Sequence, residues 1–510
     1  MPELIRSKRR LASRAGLVAA SLCPLLALAG CFGSQSNPDR TTYGGDGGAT
    51  RNVLDPDPRN KAPESYYRSQ LVELPLRIKS YDLTGNERRN PVVIREMHVI
   101  QDQIRDEILV IDADGPGTLW SLHAHDFTLH WKTPIENRVT FRPMATGEYI
   151  VLMDSDGLYQ AYDRMNSPRQ GESRLIAKGR FEGEIFPSAE PASNDTHVFV
   201  PATNSNSMRG LSMIDNAKGQ GTATWSFPDA GQGVQESFMQ VRTRPAADSE
   251  SVAFINNNGR LYIVDAQTGE FRANPHLDGH SRTPPVIKND LVFVGSDGGQ
   301  IFAWEKSGEA AWTATVDGLP YGEIFVEDNW VFVRTLEVYD EEVRTDDGRG
   351  VRLRAATRPG MLHAFKYERR NVDRDRPVFE VVDGDPSTPW IKDPIWSEPD
   401  VGQQILMLSG DNLFVLYETN VEFLSEKDKA RLRDTKRIAN RRDELRTTDR
   451  RIRVLDVNTG RLGRPEWDLN MIDFPFIQGS MLERDRAIYL GTRDGYIFKV
   501  YSQGGRAGGN

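Results

Sequence analysis

The chain has 510 residues, of which 38% are hydrophobic and 27% charged, and its formal net charge at pH 7 is −9. These values are typical of a globular protein and exclude disordered, collagenous and polytopic membrane chains. The excess of acidic groups argues against binding of nucleic acid over the general surface. The two cysteines, Cys23 and Cys31, allow neither a disulfide framework nor a cysteine-rich zinc site.

Residues 1–30 have the layout of an export signal. A basic stretch from Arg6 to Arg14 precedes an uncharged, mainly apolar stretch, 15–30, which is short for a membrane span. It ends in Leu28-Ala29-Gly30-Cys31, which resembles the lipobox of bacterial lipoproteins. The resemblance implies cleavage before Cys31, acylation of that cysteine, and a lipid anchor at the cell envelope, on the outer membrane facing the periplasm. A plain secretory signal with an incidental cysteine is the alternative.

The remainder divides into a tether, a body and a tail. Residues 31–70 hold the lipidated cysteine and a segment rich in Gly, Asn, Asp and Pro, which is typical of a flexible linker. Residues 71–502 carry the repeats described next, with insertions at 335–359 and 420–450. Residues 503–510 are predicted to be a disordered tail.

The body is built from a repeat of about 40 residues. Its clearest copy, 283–315, contains four β-rich runs separated by turn signals, with Asp297-Gly298 at a favoured hairpin position. Pairs equivalent to the second and third runs occur eight times, at 108–124, 149–163, 197–215, 252–270, 291–304, 330–365, 412–460 and 487–502. The sequence therefore predicts an all-β fold, an eight-bladed β-propeller of four-stranded blades.

Two further features concern closure and packing of the ring. The last unit ends near Ser502 without a fourth strand, and the apolar run 70–78 has no partner, so this N-terminal run is predicted to complete the last blade. The fourth runs contain Trp131, Trp225, Trp312, Trp396 and Trp467, which we interpret as packing between blades.

The pattern at 284–312, which recurs in part at 264–270 and 455–460, resembles the pyrroloquinoline-quinone-type propeller repeat found in quinoproteins. A lipid-anchored eight-bladed propeller of this type is similar to the lipoproteins of outer-membrane β-barrel assembly. Quinoprotein dehydrogenases also carry adjacent cysteines and a calcium site, which this sequence does not supply. The resemblance thus implies a protein-binding scaffold without a cofactor or catalytic residues. A quinone- or small-ligand-binding propeller, as enzyme or sensor, is the alternative.

Metal-binding patterns are weak. His123-x-His125-Asp126 and the His276–His280 segment each offer two imidazoles without a third ligand. Asp112-x-Asp114-Gly115 and Asp154-x-Asp156-Gly157 lack the later acidic ligands of calcium loops and are better explained as hairpin turns. No metal site is therefore predicted.

The two insertions lie between the second and third strands of units six and seven. Residues 337–354 alternate on both sides of Asp347-Gly348 and predict a longer hairpin. Residues 425–446 predict a helix, since Ser425 and Asp428 have capping-box spacing and 420–450 contains no Gly or Pro.

That predicted helix is basic in an acidic chain. From Glu426 to Arg451 there are eleven Lys and Arg against six acidic residues. A solvated helix with internal ion pairs is one explanation. The other is a cationic docking surface for an acidic partner, or for an anionic envelope polymer or lipid headgroup. The candidate partner-binding residues are Lys427, Arg431, Arg433, Lys436, Arg437, Arg441 and Arg442. The expected partner is a protein of the cell envelope, with the barrel-assembly protein as the specific hypothesis.

Overall fold

The structure is a computed structural model of the whole chain. It describes residues 76–82, 93–100, 106–112, 117–165, 174–180, 187–202, 207–212, 223–228, 240–277, 279–344, 351–366, 369–373, 376–379, 391–399, 401–402, 404–420, 448–463, 466–469, 476–479, 487–493 and 495–502. All of them belong to one compact unit, 56–510. Within these ranges the regular elements are β-strands, and no helix there is suited to crossing a membrane. The predicted signal peptide, Cys31, the tether and the tail lie outside the described residues.

Thirty-five strands are described. The first of them is β1 (Leu76–Asp82). The next sixteen make up four sheets in chain order: β2 (Ile94–Ile100), β3 (Glu107–Asp112), β4 (Thr118–His123), β5 (Leu129–Pro134); β6 (Met144–Ala145), β7 (Tyr149–Met153), β8 (Leu158–Asp163), β9 (Leu175–Arg180); β10 (Ala192–Ser193), β11 (His197–Ala202), β12 (Ser207–Ser212), β13 (Trp225–Phe227); β14 (Ala246–Ala247), β15 (Ser251–Ile255), β16 (Leu261–Asp265), β17 (Phe271–Ala273).

The C-terminal half continues in the same way. Its strands are β18 (Val286–Lys288), β19 (Leu291–Ser296), β20 (Gln300–Glu305), β21 (Ala310–Thr315); β22 (Leu319–Glu327), β23 (Trp330–Arg344), β24 (Val351–Lys366), β25 (Arg369–Asp373), β26 (Arg376–Phe379), β27 (Ile391–Lys392), β28 (Trp396–Pro399); β29 (Gln404–Ser409), β30 (Asn412–Asn420), β31 (Thr448–Asp456), β32 (Trp467–Asp468); β33 (Phe476–Gly479), β34 (Ala487–Gly491), β35 (Tyr496–Ser502).

Apart from the β25–β26 hairpin, the strands form eight sheets, blades 1 to 8, each built on four antiparallel strands, and the predicted eight-bladed propeller is confirmed. In blades 1 to 7 these four strands lie side by side in chain order, with the first strand innermost, and blade 8 runs from β33 to β35 and then to β1. All eight strand pairs that the repeat indicated are the second and third strands of a blade. These two strands read as continuous apolar runs because both of their faces are covered by neighbouring blades, as in β19, which is buried along its whole length.

Short side-chain contacts explain the turns between second and third strands. The Asp154 carboxylate accepts hydrogen bonds from the backbone N–H groups of Asp156 and Leu158, at 2.9 and 2.8 Å. In blade 4 the side-chain oxygen of Asn256 accepts the equivalent hydrogen bonds, from the backbone N–H groups of Asn258 and Arg260. Gly157 and Gly259 follow with positive φ, a conformation that glycine adopts without strain. The Asp-x-Asp-Gly sequence at 154–157 is therefore a turn, as predicted.

The hydrophobic core is divided among the contacts between blades. In the described part of the chain, seven clusters of buried side chains each join two neighbouring blades, from the contact of blade 8 with blade 1 to that of blade 6 with blade 7. Blades 1 to 6 thus bury both faces against their neighbours, and the repeat is what allows the same contact to recur around the ring.

Tryptophans of the fourth strands connect a blade to the next one. The indole N–H of Trp131 donates to the carbonyl of Arg164, at 3.1 Å, and that of Trp225 to the carbonyl of Ala266, at 3.1 Å. Trp396 donates to the carbonyl of Val457 at 2.7 Å. Each accepting carbonyl follows the third strand of the neighbouring blade, so these tryptophans pack between blades as interpreted above.

Glycines after the third strand permit that contact. Gly460 has φ +70°, and a Cβ added to it would lie 2.6 Å from the Trp396 ring of the preceding blade. A Cβ added to Gly269 would likewise lie 2.5 Å from the Trp225 ring. The Asp-x-x-Thr-Gly sequence shared by 265–269 and 456–460 therefore serves the packing of one blade on the next.

We expect Gly460→Ala to lower the free energy of unfolding by about 3 kcal/mol. About 1 kcal/mol is the cost of a left-handed alanine, and the remainder, of the order of 1–3 kcal/mol, comes from overlap with the Trp396 ring. Gly410→Ala is the matched control, because Gly410 has φ +58° but open space around its Cβ position. Urea unfolding of both variants measures the difference, and equal losses would contradict the packing role.

The ring is closed by pairing of the two ends of the described chain. β1 pairs antiparallel with β35, from Leu76 opposite Ser502 to Asp82 opposite Tyr496, and is the outermost strand of blade 8. The prediction of an N-terminal closing strand is confirmed; the described strand runs from Leu76 to Asp82, past the predicted end at Ile78, and residues 70–75 lie outside the described residues. Tyr489 of blade 8 also donates its hydroxyl to the carbonyl of Ala124 in blade 1, at 3.0 Å.

Blade 6 contains an excursion that the repeat pattern did not indicate. Its fourth strand, β28, follows its third, β24, only after about 30 residues, which include the β25–β26 hairpin and β27. β27 pairs in parallel with β21 and becomes a fifth, outermost strand of blade 5. A two-residue strand paired with another blade leaves no periodic signal in the sequence, so this element could be found only in the structure.

Candidate functional site

The candidate partner-binding residues of the basic insertion, Lys427, Arg431, Arg433, Lys436, Arg437, Arg441 and Arg442, lie outside the described residues, as does the predicted helix that carries them. The strands that flank it are described: Asn420 of β30 pairs with Thr448 of β31. Arg450 and Arg451, counted above with the basic segment, belong to β31, where Arg450 pairs with Glu418 at 3.2 Å and Arg451 with Glu466 at 2.9 Å.

Blade 6 carries a two-stranded ribbon, which we define as residues 337–344 and 351–358. The strands stay paired from Glu337 opposite Arg358 to Arg344 opposite Val351, which gives the longer hairpin that the sequence indicated. β22 pairs with β23 only as far as Leu336, and β28 pairs with β24 only over 361–364. Within the described residues, the ribbon therefore extends beyond its sheet with both edges unpaired.

The two faces of the ribbon differ in chemistry. On one face Arg358 makes a bidentate ion pair with Glu337, at 2.9 and 2.8 Å, and its guanidinium lies over the Tyr339 ring. The other face presents Val338 and Leu353, which are 51% and 65% exposed, together with exposed Asp340, Ala355 and Thr357. The exposed apolar side chains on this face are candidates for burial against a partner.

The ribbon and the basic insertion leave the same side of the propeller. Both connect second to third strands, of blades 6 and 7. Because successive strands of a blade alternate in direction, all such connections emerge on one face of the disc. The topology thus places the ribbon of blade 6 and the strand ends that flank the basic insertion of blade 7 on one face.

The inner strands surround an axial channel of about 600 Å³. Its wall contains a repeated dipeptide, a charged residue followed by proline just before the first strand of a blade: Arg142-Pro143 in blade 2, Glu190-Pro191 in blade 3 and Arg244-Pro245 in blade 4. Proline suits this position because its missing N–H would otherwise face the channel without a partner. These residues were not predicted from the sequence, although the recurrence of the dipeptide at about the blade period could have indicated them.

Ion pairing and burial set the charge of the channel wall. Arg142 and Glu190 form a bidentate pair, at 2.9 and 3.2 Å. Although burial acts against its charge, the carboxylates of Glu190, Glu323 and Glu96 hold the pKa of Arg142 above its ordinary value. Burial raises the pKa of Glu96 to about 7. Burial, together with the nearby charges of Arg142 and Arg244, lowers the pKa of His98 to about 3, so His98 is uncharged at neutral pH.

The aspartates of the weak metal patterns that the structure describes serve turns; Asp114 and Asp278 lie outside the described residues. Asp126 accepts hydrogen bonds from the N–H and hydroxyl of Thr128, at 3.0 and 2.7 Å, and thus serves the turn after β4. Asp112 likewise accepts from the backbone N–H of Thr118, at 2.7 Å. Across the described ranges, no three His, Cys, Asp or Glu side chains converge as a metal would require.

Comparison with known proteins identifies the type of propeller. The family model described as "Outer membrane protein assembly factor BamB" matches residues 104–270 and 274–359, about half of the chain. The solved structure of BamB from Moraxella catarrhalis is 13% identical, covers 83% of this chain and 98% of its own, and has a TM-score of 0.45. The computationally designed Ika8 protein is 12% identical and has a TM-score of 0.46; the match covers 81% of this chain and 97% of the Ika8 chain. No curated protein sequence matches the chain. The chain is a PQQ-like β-propeller that resembles the assembly factor BamB.

Proposed function

We propose that this chain is a lipid-anchored propeller of the cell envelope that serves as a protein-interaction scaffold in the assembly of outer-membrane β-barrel proteins. The observation that carries the proposal is the match of residues 104–270 and 274–359, from the second strand of blade 1 into the third strand of blade 6, to the BamB family model. The anchor rests on the Leu28-Ala29-Gly30-Cys31 sequence, and the tether gives the propeller reach from the membrane. The proposed role needs binding surfaces and no catalytic group.

The proposed contact lies on the face from which the ribbon and the basic insertion emerge. The exposed apolar side chains of the ribbon, Val338 and Leu353, offer area that becomes buried in a complex. The basic segment 420–450 adds charge that attracts an acidic partner and makes association sensitive to salt. A protein of the barrel-assembly machinery is the proposed partner.

Co-purification tests this role. Envelopes would be dissolved in mild detergent, and proteins bound to the tagged full chain would be identified for the wild type, for Val338→Ser/Leu353→Ser and for a chain lacking 420–450. Leu129→Ser is the matched control, because Leu129 is a comparably exposed apolar residue, 45%, on the outer strand of blade 1. We expect a barrel-assembly protein to co-purify with the wild type and with the control. Its amount should be at least tenfold lower with Val338→Ser/Leu353→Ser or with the chain lacking 420–450.

Two further results bear on the proposal. Absence of any barrel-assembly protein from the wild-type preparation would contradict it. Cys31→Ser tests the anchor separately, since the variant should lose incorporation of labelled palmitate and move from the membrane fraction to the soluble fraction. A variant that remained acylated would show that Cys31 is not the attachment point.

The quinoprotein alternative requires residues that this chain does not bring together. Quinoproteins of this repeat type hold their cofactor beside adjacent cysteines, whereas the cysteines here are Cys23 and Cys31, both outside the predicted propeller. The residues present do not fit that group. The wider alternative, a propeller that binds a small ligand on its axis, is favoured by one observation, the charged channel.

A further inference from the structure

The axial channel has the size of a ligand site and an unusual distribution of charge. Its volume of about 600 Å³ lies within the range of roughly 300–1,000 Å³ that small-molecule sites occupy. Charged side chains reach it from several blades, among them Arg142, Glu190, Arg244 and Glu323. A wall of this kind favours a polar ligand over an apolar one, because an apolar ligand would leave the charges desolvated and unpaired.

Two of these four charged side chains pair with each other, and the other two do not form an ion pair with a described residue. Arg142 and Glu190 are joined in the bidentate ion pair described above. Arg244 of blade 4 and Glu323 of blade 6 make no hydrogen bond or ion pair with any residue in the described part of the chain. Each acts on its surroundings only at longer range, Arg244 on His98 and Glu323 on Arg142 and Arg334.

The unpaired charges are opposite in sign and lie on either side of blade 5. Between them blade 5 contributes Pro285, Val286 and Ile287 to the wall, none of which carries charge. Of the neighbouring titratable groups, His98 is uncharged at neutral pH and Glu96 is close to Arg142. Two further carboxylates line the channel, Asp195 of blade 3 and Asp248 of blade 4, and Asp248 is paired with Lys306 at 2.7 Å. Across blade 5, the wall therefore presents a cation and an anion separated by an uncharged strand.

We infer that the axial channel binds a small zwitterionic ligand, an amino acid or short peptide, whose carboxylate pairs with Arg244 and whose ammonium group pairs with Glu323. Guanidinium binds carboxylate through two parallel hydrogen bonds, so the Arg244 contact fixes orientation as well as charge. The requirement for both charges on one molecule distinguishes this site from a simple anion site. The inference is separate from the scaffold role, which needs no ligand on the axis.

Isothermal titration of the full chain with a graded series tests the inference: glycine, diglycine and triglycine, each compared with its N-acetylated and its C-amidated form. We expect one length to bind best and both blocked forms of that peptide to bind at least tenfold more weakly. Arg244→Gln should lower affinity for the free and N-acetylated forms but leave the C-amidated form unchanged. Glu323→Gln should lower affinity for the free and C-amidated forms but leave the N-acetylated form unchanged.

Glu136→Gln, which removes an exposed carboxylate outside the channel, should leave the affinities unchanged, and melting curves of all variants establish that they are folded. Binding of acetate as strong as that of the best peptide would show an anion site at Arg244 and overturn the zwitterion inference. Absence of heat with every unblocked peptide at millimolar concentration, or equal affinities for wild type and both channel variants, would also overturn it.

Discussion

Arg164→Met is expected to lower the free energy of unfolding by about 3–5 kcal/mol, which is typical of breaking a buried ion pair. Arg164 of blade 2 and Glu107 of blade 1 form an ion pair in which both side chains have no exposed surface. Glu107 also accepts the hydroxyl of Ser121, and Arg164 donates to the carbonyl of Thr146 at 2.9 Å. The variant leaves the Glu107 carboxylate buried without its counter-charge, and this desolvated charge is the main source of the loss.

A matched pair on the surface provides the control. Lys178 and Glu136 are also in ion-pair contact, but their side chains are 58% and 44% exposed. Lys178→Met should therefore change the free energy of unfolding by less than about 1 kcal/mol. Urea unfolding of both variants measures the comparison. Glu107→Leu/Arg164→Met, which removes both charges, should be more stable than Arg164→Met alone. Equal stability of Arg164→Met and Lys178→Met would contradict the account.

Removal of β1 is expected to open the ring. A chain that begins at residue 84 lacks the strand that pairs with β35, whereas a chain that begins at residue 71 retains it. The loss of seven residue pairs should lower stability by several kcal/mol, at about 1 kcal/mol for each hydrogen bond lost. The free edge of β35 should also promote self-association. Thermal unfolding and light scattering of the two chains measure these effects.

A peptide supplied in trans makes this experiment specific. A synthetic peptide of residues 71–83 should bind the shortened chain, raise its melting temperature and reduce its self-association, because it can restore the antiparallel pairing with β35. A peptide of the same composition in scrambled order should not. If the shortened chain is as stable and as monomeric as the longer one, strand pairing does not close the ring.

Closure and the buried pair matter for the proposed role because a scaffold must hold its binding elements in fixed positions. The ribbon and the basic insertion belong to blades 6 and 7, and their relative placement depends on contacts such as Trp396 with Gly460 and Val457. A substitution that strains or removes such a contact between blades is therefore expected to weaken partner binding, even when no residue of the docking face is changed.

Much of the fold could be predicted from the sequence, because each blade repeats the same local pattern. Alternating turn signals and apolar runs such as 291–296 are sufficient to place second and third strands, since their residues are buried by neighbours on both faces. The lack of a fourth strand after Ser502 was enough to predict an N-terminal closing strand. Its C-terminal end was predicted too early, at Ile78 instead of Asp82, because an outermost strand is paired on one side only and carries a weaker apolar signal.

The tertiary structure alone decided which residues meet across blades. Glu107 and Arg164 are 57 positions apart, and no local pattern marks them as an ion pair. The same holds for the β27–β21 pairing and for Arg142, Glu190, Arg244 and Glu323, which face one channel only because eight inner strands close into a ring. The sequence by itself determined the blades, since local periodicity reports local burial. The site depended on the closed ring, because contacts between distant segments have no periodicity of their own.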